Sequence, residues 1–356
     1  MVTIMSELQI SLLAIGILVV LAVYGYGAWQ QRQYRNRFGA AFRSADGDAL
    51  YHDAPATPRA GPADTESAPA HLLPDSPGAP DESCKTLDAG TDYIAVMFAS
   101  SPLHIGVLEP LWQRRFDFGK NLHVCGVRAG GESWEKVIAE SPLSYDTLRV
   151  SLQLADRNGA VSQARLADFG DLLRDIAENA QAEINLPDTA EAADSARRLD
   201  AFCAEVDQMI GLNILPAGGN LLMGDEVAQV AGRHGLVLQA DGAFHLLDAY
   251  GRTLFMLSNF DETPFLHSEL DQTPVIGLSL QLDVPRVEQP VRRFDEMAAL
   301  ARAIGADLGA AVVDDNRTEL GDPAIAMIRS QVVAIEKRML AYPITPGSAL
   351  ARRLFS

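Results

Sequence analysis

The sequence predicts an α+β protein carried on a single N-terminal transmembrane helix, with its folded part standing off on a linker. Three observations lead there: the uncharged run Ile10–Trp29, a proline-rich stretch over Ser44–Asp92, and short strand patterns mixed with amphipathic helices from Tyr93 onward. Strands joined by short turns pair antiparallel, and helices then cover one sheet face.

The run ISLLAIGILVVLAVYGYGAW carries no charge, and roughly 20 such residues let an α-helix cross a bilayer core. Arg32, Arg35, Arg37 and Arg43 follow it, while Glu7 is the one charge ahead of it. The positive-inside bias puts the N-terminus outside and Leu50 onward in the cytoplasm. Tyr24, Tyr26 and Trp29 fall at the cytoplasmic end, where amphipathic rings favour the headgroup region. A cleaved signal peptide has a basic start and a shorter apolar run. Residues 1–43 therefore read as an uncleaved anchor with a basic cytoplasmic flank.

The chain of 356 residues has a formal net charge of −18. Residues 1–43 carry +3, so the remainder carries −21. Such a body is repelled by an anionic membrane face and is unsuited to phosphate backbones, so no nucleic acid is expected. The cysteines Cys84, Cys125 and Cys203 lie far apart, with no zinc or redox spacing. On the reducing cytoplasmic side they are expected as free thiols.

Residues 44–92 form a linker rich in Pro, Ala and Asp, with Pro55, Pro58, Pro62, Pro69, Pro74, Pro77 and Pro80. It lacks the apolar surface to offset its ordering entropy. A flexible chain of that length spans on the order of 40 Å.

Strands are predicted at Tyr93–Ala99, Leu122–Val127, Trp134–Ile138 and Leu148–Leu154, and helices at Val107–Arg115, Gln163–Ala182 and Thr189–Val206. The order then recurs. Met209–Leu215 reads as a strand and Asp225–Arg233 as a helix. Phe244–Asp248 and Thr253–Asn259 read as a hairpin, and Val275–Val284 as a strand. Arg292–Leu308 reads as a helix and Ala310–Asp314 as a short strand. A last helix starts with Asp322 as N-cap and Pro323 at its first position. Its stripe is Ile325, Ile328, Val332, Ile335 and Met339.

The recurrence has a register. Ser151–Leu154 and Ser279–Leu282 both read SLQL, 128 residues apart. The same shift carries Leu166, Phe169, Leu173, Ile176, Ala177 and Ala180 onto Phe294, Met297, Ala301, Ile304, Gly305 and Leu308. Ile94, Val96 and Phe98 match Ile210, Leu212 and Ile214 at a shift of 116. A duplicated unit is expected: a degenerate copy over 93–207, a second over 208–342, and a tail over 343–356.

Catalytic patterns are sparse. No glycine-rich phosphate loop follows a strand, and Gly218-Gly219 is a turn signal. The seven His have no metalloprotease spacing. Asp314 and Asp315 are adjacent in a strand pattern, so they point to opposite faces. Arg233 and His234 suit a helix C-terminus. No enzyme activity, cofactor, metal site or small-molecule substrate is expected. If Ile210, Leu212 and Ile214 face the helices, then Met209, Gly211, Asn213 and Leu215 face outward. Likewise Leu278, Leu280 and Leu282 inward leave Gly277, Ser279 and Gln281 outward. Phe260, Phe265 and Leu266 could rim that face, and such a groove suits an amphipathic peptide. Alternatively, Phe265 and Leu266 pin their loop to the core.

The stretches MIGLNILPAGG (Met209–Gly219), TLFMLSNFDETPF (Thr253–Phe265) and AAVVDDNR (Ala310–Arg317) resemble the ZipA family of bacterial cell-division anchors, which bind FtsZ. The resemblance covers Gln208–Leu340, and the plan of anchor, linker and C-terminal domain matches too. It implies a split β-α-β antiparallel-sheet domain whose exposed face takes the C-terminal tail peptide of FtsZ. Carried over, the peptide site comprises Gly211, Asn213, Phe260, Glu262, Phe265, Gly277, Ser279 and Gln281. Phe260 stands where the family has Met, Ser279 where an aromatic residue is usual, and Glu262 where Lys is familiar. The implied function is a non-catalytic, single-pass adaptor of the bacterial inner membrane that tethers FtsZ polymers during septum and Z-ring assembly. The alternative is an envelope or divisome scaffold binding other proteins through its two α+β units.

Overall fold

Tyr93, Ala95 and Met97 alternate into the core of the first strand while Ile94, Val96 and Phe98 stay partly exposed. The computed structural model describes residues 82–141, 144–314 and 317–356. The expected anchor, and the linker up to Asp81, lie outside the described residues. Among the described residues no helix is long and apolar enough to cross a membrane.

The chain enters through a helical turn, α1 (Glu82–Lys85), then forms β1 (Asp92–His104) and a short α2 (Glu109–Gln113). Strands β2 (Leu122–Arg128), β3 (Trp134–Lys136) and β4 (Ser144–Gln153) follow, then the small hairpin β5 (Ala155–Asp156) and β6 (Gly159–Ala160). Helix α3 (Gln163–Asn179) begins at Ser162, whose hydroxyl accepts from the Arg165 amide, a common N-cap bond. It stops before the expected Ala182, because Gln181 takes φ 52° and the chain turns into β7 (Ala182–Asn185). Helix α4 (Thr189–Val206) is capped by Asp188, which accepts from the Ala190 and Glu191 amides. The first sheet has the order β3-β2-β4-β1-β7, antiparallel throughout.

The second sheet has the order β10-β11-β12-β14-β8-β15, also antiparallel. Its elements are β8 (Met209–Pro216), β10 (Val237–Leu238), β11 (Phe244–Leu247), β12 (Thr253–Asn259), β14 (Leu278–Asp283) and β15 (Ala310–Val313). A separate pair, β9 (Leu222–Met223) and β13 (Pro274–Val275), flanks it. Helices α5 (Gly224–Arg233), α6 (Pro290–Asp307) and α7 (Asp322–Ala341) complete the unit. Helix α7 starts one residue earlier than predicted, with Gly321 at the N-cap and no side-chain capping bond. The single strand expected over Val275–Val284 is broken, with β13 paired to β9 and β14 starting at Leu278.

The two sheets share their central neighbours. β4 lies between β2 and β1, as β14 lies between β12 and β8, and β7 and β15 close the far edges. The 128-residue shift holds in burial: Leu166, Phe169, Leu173, Ile176 and Ala177 are buried in α3, and so are Phe294, Met297, Ala301, Ile304 and Gly305 in α6. Gly305 is tight, since a Cβ there would lie 2.8 Å from the Ala310 carbonyl oxygen. The 116-residue match of the first strands is three residues out of register, an odd slip that puts Ile94, Val96 and Phe98 on the opposite face from Ile210, Leu212 and Ile214. Tyr93 pairs with Leu152, and Leu212 with Leu280, so the register-consistent shift is 119. Any odd slip moves every side chain to the other face, because the side-chain period of a strand is two.

The segment 343–356 is part of the fold. Ile344, Ala351, Leu354 and Phe355 are buried, and α8 (Ala349–Leu354) packs against both the Val284–Arg286 turn and β5. Arg157 joins the units too, binding Asp207 at 2.6 Å and Asp283 at 2.9 Å. Phe202 stacks on Tyr342 with ring centroids 4.1 Å apart. Both sheets contribute to one continuous core.

The free-thiol expectation is overturned for two cysteines. Cys84 and Cys125 form a disulfide with Cα atoms 5.9 Å apart, and buried Cys203 is free. Sequence spacing gave no sign of the bond, because α1 doubles back onto β2 and β3.

Candidate protein-docking face

In the second sheet Ile210, Leu212 and Ile214 of β8, Leu278, Leu280 and Leu282 of β14, and Phe255 and Leu257 of β12 turn inward. Period-2 alternation leaves their neighbours on the opposite side. The registers align Met256, Gln281 and Gly211 in one row, and Ser258, Ser279 and Asn213 in the next. The second row is a small polar floor in which Ser279 and Asn213 are each 9% exposed. Met209 is 41% exposed. At Gly211 a Cβ would meet nothing closer than 3.9 Å, so this part of the floor has open space above it.

Phe260 continues β12 by one step, its amide donating to the Gly277 carbonyl at 2.9 Å. Alternation puts its half-buried ring on the side of Met256 and Ser258. Glu262 is exposed at the rim, in a left-handed conformation with φ 65°, and its amide donates to the Asn259 carbonyl. Gln281 is partly exposed beside Met256.

Two expected site residues do other work. Phe265 is 1% exposed and packs on Phe244 with ring centroids 5.1 Å apart. Its amide donates to the Gly242 carbonyl, so Phe265 pins the loop to the core, while Leu266 stays exposed. The room expected above Gly277 is taken by the chain itself. A Cβ there would lie 2.1 Å from Leu215 Cδ2 and 3.1 Å from the Ile214 carbonyl oxygen.

The other polar residues singled out in the sequence are committed to structure. His245, the cross-strand neighbour of Met256, has Nδ1 2.8 Å from Thr253 Oγ1 and Nε2 2.9 Å from Asp241. Hydrogen bonds from Arg233 and then His234 hold the Asp307 carboxyl below its ordinary pKa. The Asp314 carboxylate accepts from the Thr318 amide at 2.8 Å and closes a turn; Asp315 lies outside the described residues.

Sequence reasoning passed over Leu254 and Met256 as site residues, although the alternation of TLFMLSN already put them on the side of Phe260. It also missed Leu221 and Ile276, 59% and 43% exposed. Continuing the β9–β13 register places them opposite one another. Reading 275–284 as one strand hid them.

Residues 208–331 match the family model of the ZipA C-terminal, FtsZ-binding domain. No curated protein matches the chain.

Proposed function

We propose, from the membership of residues 208–331 in the ZipA C-terminal, FtsZ-binding family, that this chain is a non-catalytic adaptor tethering FtsZ polymers to the cytoplasmic face of the bacterial inner membrane. The FtsZ C-terminal tail sits on the open face of the second sheet. The observation that carries this reading is the combination of small polar floor and apolar flank. Gly211, Ser279 and Asn213 keep the floor low, and Met209, Met256 and Phe260 stand around it. An amphipathic peptide buries its apolar stripe in such a groove. A weak contact suffices, because a polymer offers many tails and a two-dimensional array of anchors multiplies them.

On this reading residues 1–43 are the anchor, 44–92 the spacer, 208–342 the binding domain, and 93–207 a degenerate copy of it. Shared strand neighbours and the 128-residue helix register support common descent. Residues 343–356 are then a clasp between the copies.

The test is titration of an FtsZ tail peptide into the full chain and its Phe260→Ala variant. Losing an aromatic anchor costs about 2 kcal/mol, roughly a thirtyfold loss of affinity. Unchanged affinity with the fold intact removes Phe260 from the site, and no binding by the unaltered chain removes the FtsZ reading.

The Cys84–Cys125 bond favours a second reading. Disulfides persist on the oxidising side of a membrane. With the folded part there, the chain is an envelope scaffold working through its two sheets.

A further inference from the structure

We infer that the open face of the first sheet is a second docking surface, built for an acidic peptide segment with apolar side chains. Tyr93, Ala95, Met97, Leu148, Val150 and Leu152 all turn into the core. The opposite face carries Ile94, Val96, Phe98, Val127, Trp134 and Arg149, by the alternation and registers of β1 to β4. Each is at least partly exposed, and Phe98 is 49% exposed. Helix α1 and the Cys84–Cys125 bond cover the face over β2 and β3, and Ser151 and Gln153 at the far end of β4 are buried, which leaves the end around Val96, Phe98 and Arg149 open.

Arg149 sets the ligand's charge. Its guanidinium carbon stands 3.9 Å from the centroid of the Trp134 ring. Among the described residues it has no carboxylate partner, in a chain of net charge −18. Stacking on an aromatic face holds the guanidinium plane while leaving its N–H edges free, the geometry that grips a carboxylate with two bonds. Glu183, the register partner of Phe98, is the opposing charge beside it. The apolar residues alongside provide area whose burial drives association.

This face is the counterpart of the one described in the second sheet. The 128-residue shift carries Ser151 onto Ser279 and Gln153 onto Gln281, but Arg149 onto Gly277. A cation thus stands where the other face has a glycine, so the two faces select different peptides. The inference is independent of FtsZ binding, which the tail titration reports at the second sheet alone.

The test is selection of displayed twelve-residue random peptides on the purified full chain, followed by affinity measurement on variants. Enriched peptides should combine Asp or Glu with aromatic or aliphatic residues. They should bind Arg149→Glu and Phe98→Ser at least tenfold more weakly, keep their affinity for Phe260→Ala, and weaken in raised salt. Basic peptides, or peptides sensitive to Phe260→Ala but not to Arg149→Glu, overturn the inference. So does a selection that succeeds only on a chain lacking residues 44–81, because the acidic linker is then the occupant. Circular dichroism of both variants separates lost binding from lost fold, and Arg149→Gln gives the same reading without reversing charge.

Discussion

Arg353 of the last helix reaches the Asp92 carboxylate at the start of β1, 261 residues away, with nitrogens 2.6 and 2.7 Å from its two oxygens. The Asp92 side chain is fully buried, and Arg353 is nearly so. Thr91 also donates its hydroxyl to Asp92 at 2.8 Å, and Gln153 donates its side-chain amide to the Arg353 carbonyl. The C-terminus is thus held to the start of β1 while its helix packs on the Val284–Arg286 turn that follows β14.

Removing one partner of a buried pair leaves the other charge without compensation, at a cost of about 3–5 kcal/mol. Arg353→Ala should lower the urea midpoint of the full chain accordingly, and truncation after Tyr342 should do at least as much. A midpoint within experimental error of the unaltered chain would show that Asp92 finds water or another partner. The same clasp is why peptide titrations belong on the full chain rather than on residues 208–356.

Gly211 and Gly277 predict opposite outcomes for one substitution. At Gly277, Leu215 and the Ile214 carbonyl crowd the position, so Gly277→Ala should destabilise by about 1–3 kcal/mol, the usual range for overpacking. At Gly211 the position is open, and Ala is favoured over Gly within a strand by roughly 0.5–1 kcal/mol. Gly211→Ala should therefore hold or raise the thermal midpoint, and Gly211→Leu should weaken the FtsZ tail by filling the floor. Equal midpoints for the two alanine variants would contradict this packing.

The orientation of the strands of the second sheet was legible in the sequence. Alternation in MIGLNIL, TLFMLSN and LSLQL fixed which side chains leave the core, because a strand has one period and the helices need one apolar face. What alternation lacks is knowledge of neighbours. It could not show that Leu215 folds over Gly277, that Phe265 meets Phe244, or that Gly305 yields to the Ala310 carbonyl. The phase of β1 was misjudged for a related reason: IAVMF is apolar at every position, so only pairing with β4 decides which residues turn inward. The bond between Cys84 and Cys125 and the clasp at Arg353 join distant parts of the chain, and local pattern carries no trace of either.

Asp283 gives the expected pH dependence its sign. Burial pushes its carboxyl above the ordinary 3.8, with Arg157 opposing the shift. The folded state thus holds this proton more tightly than the unfolded chain does. Its contribution is most favourable at and below 3.8 and is lost as pH rises through the raised folded value. Asp283→Asn should remove that part of the slope while Asp207 still pairs with Arg157. Urea midpoints from pH 3.5 to 7 should fall less steeply with rising pH in the variant. Parallel curves would mean that the Arg157 pair cancels the burial penalty.

The last prediction concerns which side of the membrane the folded part occupies, where two observations pull apart. Arg32, Arg35, Arg37 and Arg43 behind an uncharged run argue for the cytoplasm. The Cys84–Cys125 bond argues for an oxidising compartment. Cys203 is the internal standard, since burial pushes its thiol up to about 12 and it has no sulfur partner. Cells are quenched in acid, unfolded, and treated with a maleimide that adds a visible mass per thiol. With the folded part in the cytoplasm, all three cysteines should be labelled. The sheet survives that reduction, because Cys125 sits within a β2–β4 ladder running from Leu122 to Arg128. With the folded part outside, only Cys203 should be labelled, and prior reduction should restore the other two. That second result would end the FtsZ reading, because FtsZ polymers assemble in the cytoplasm. The first would leave Cys84 and Cys125 as neighbouring thiols that close only on oxidation.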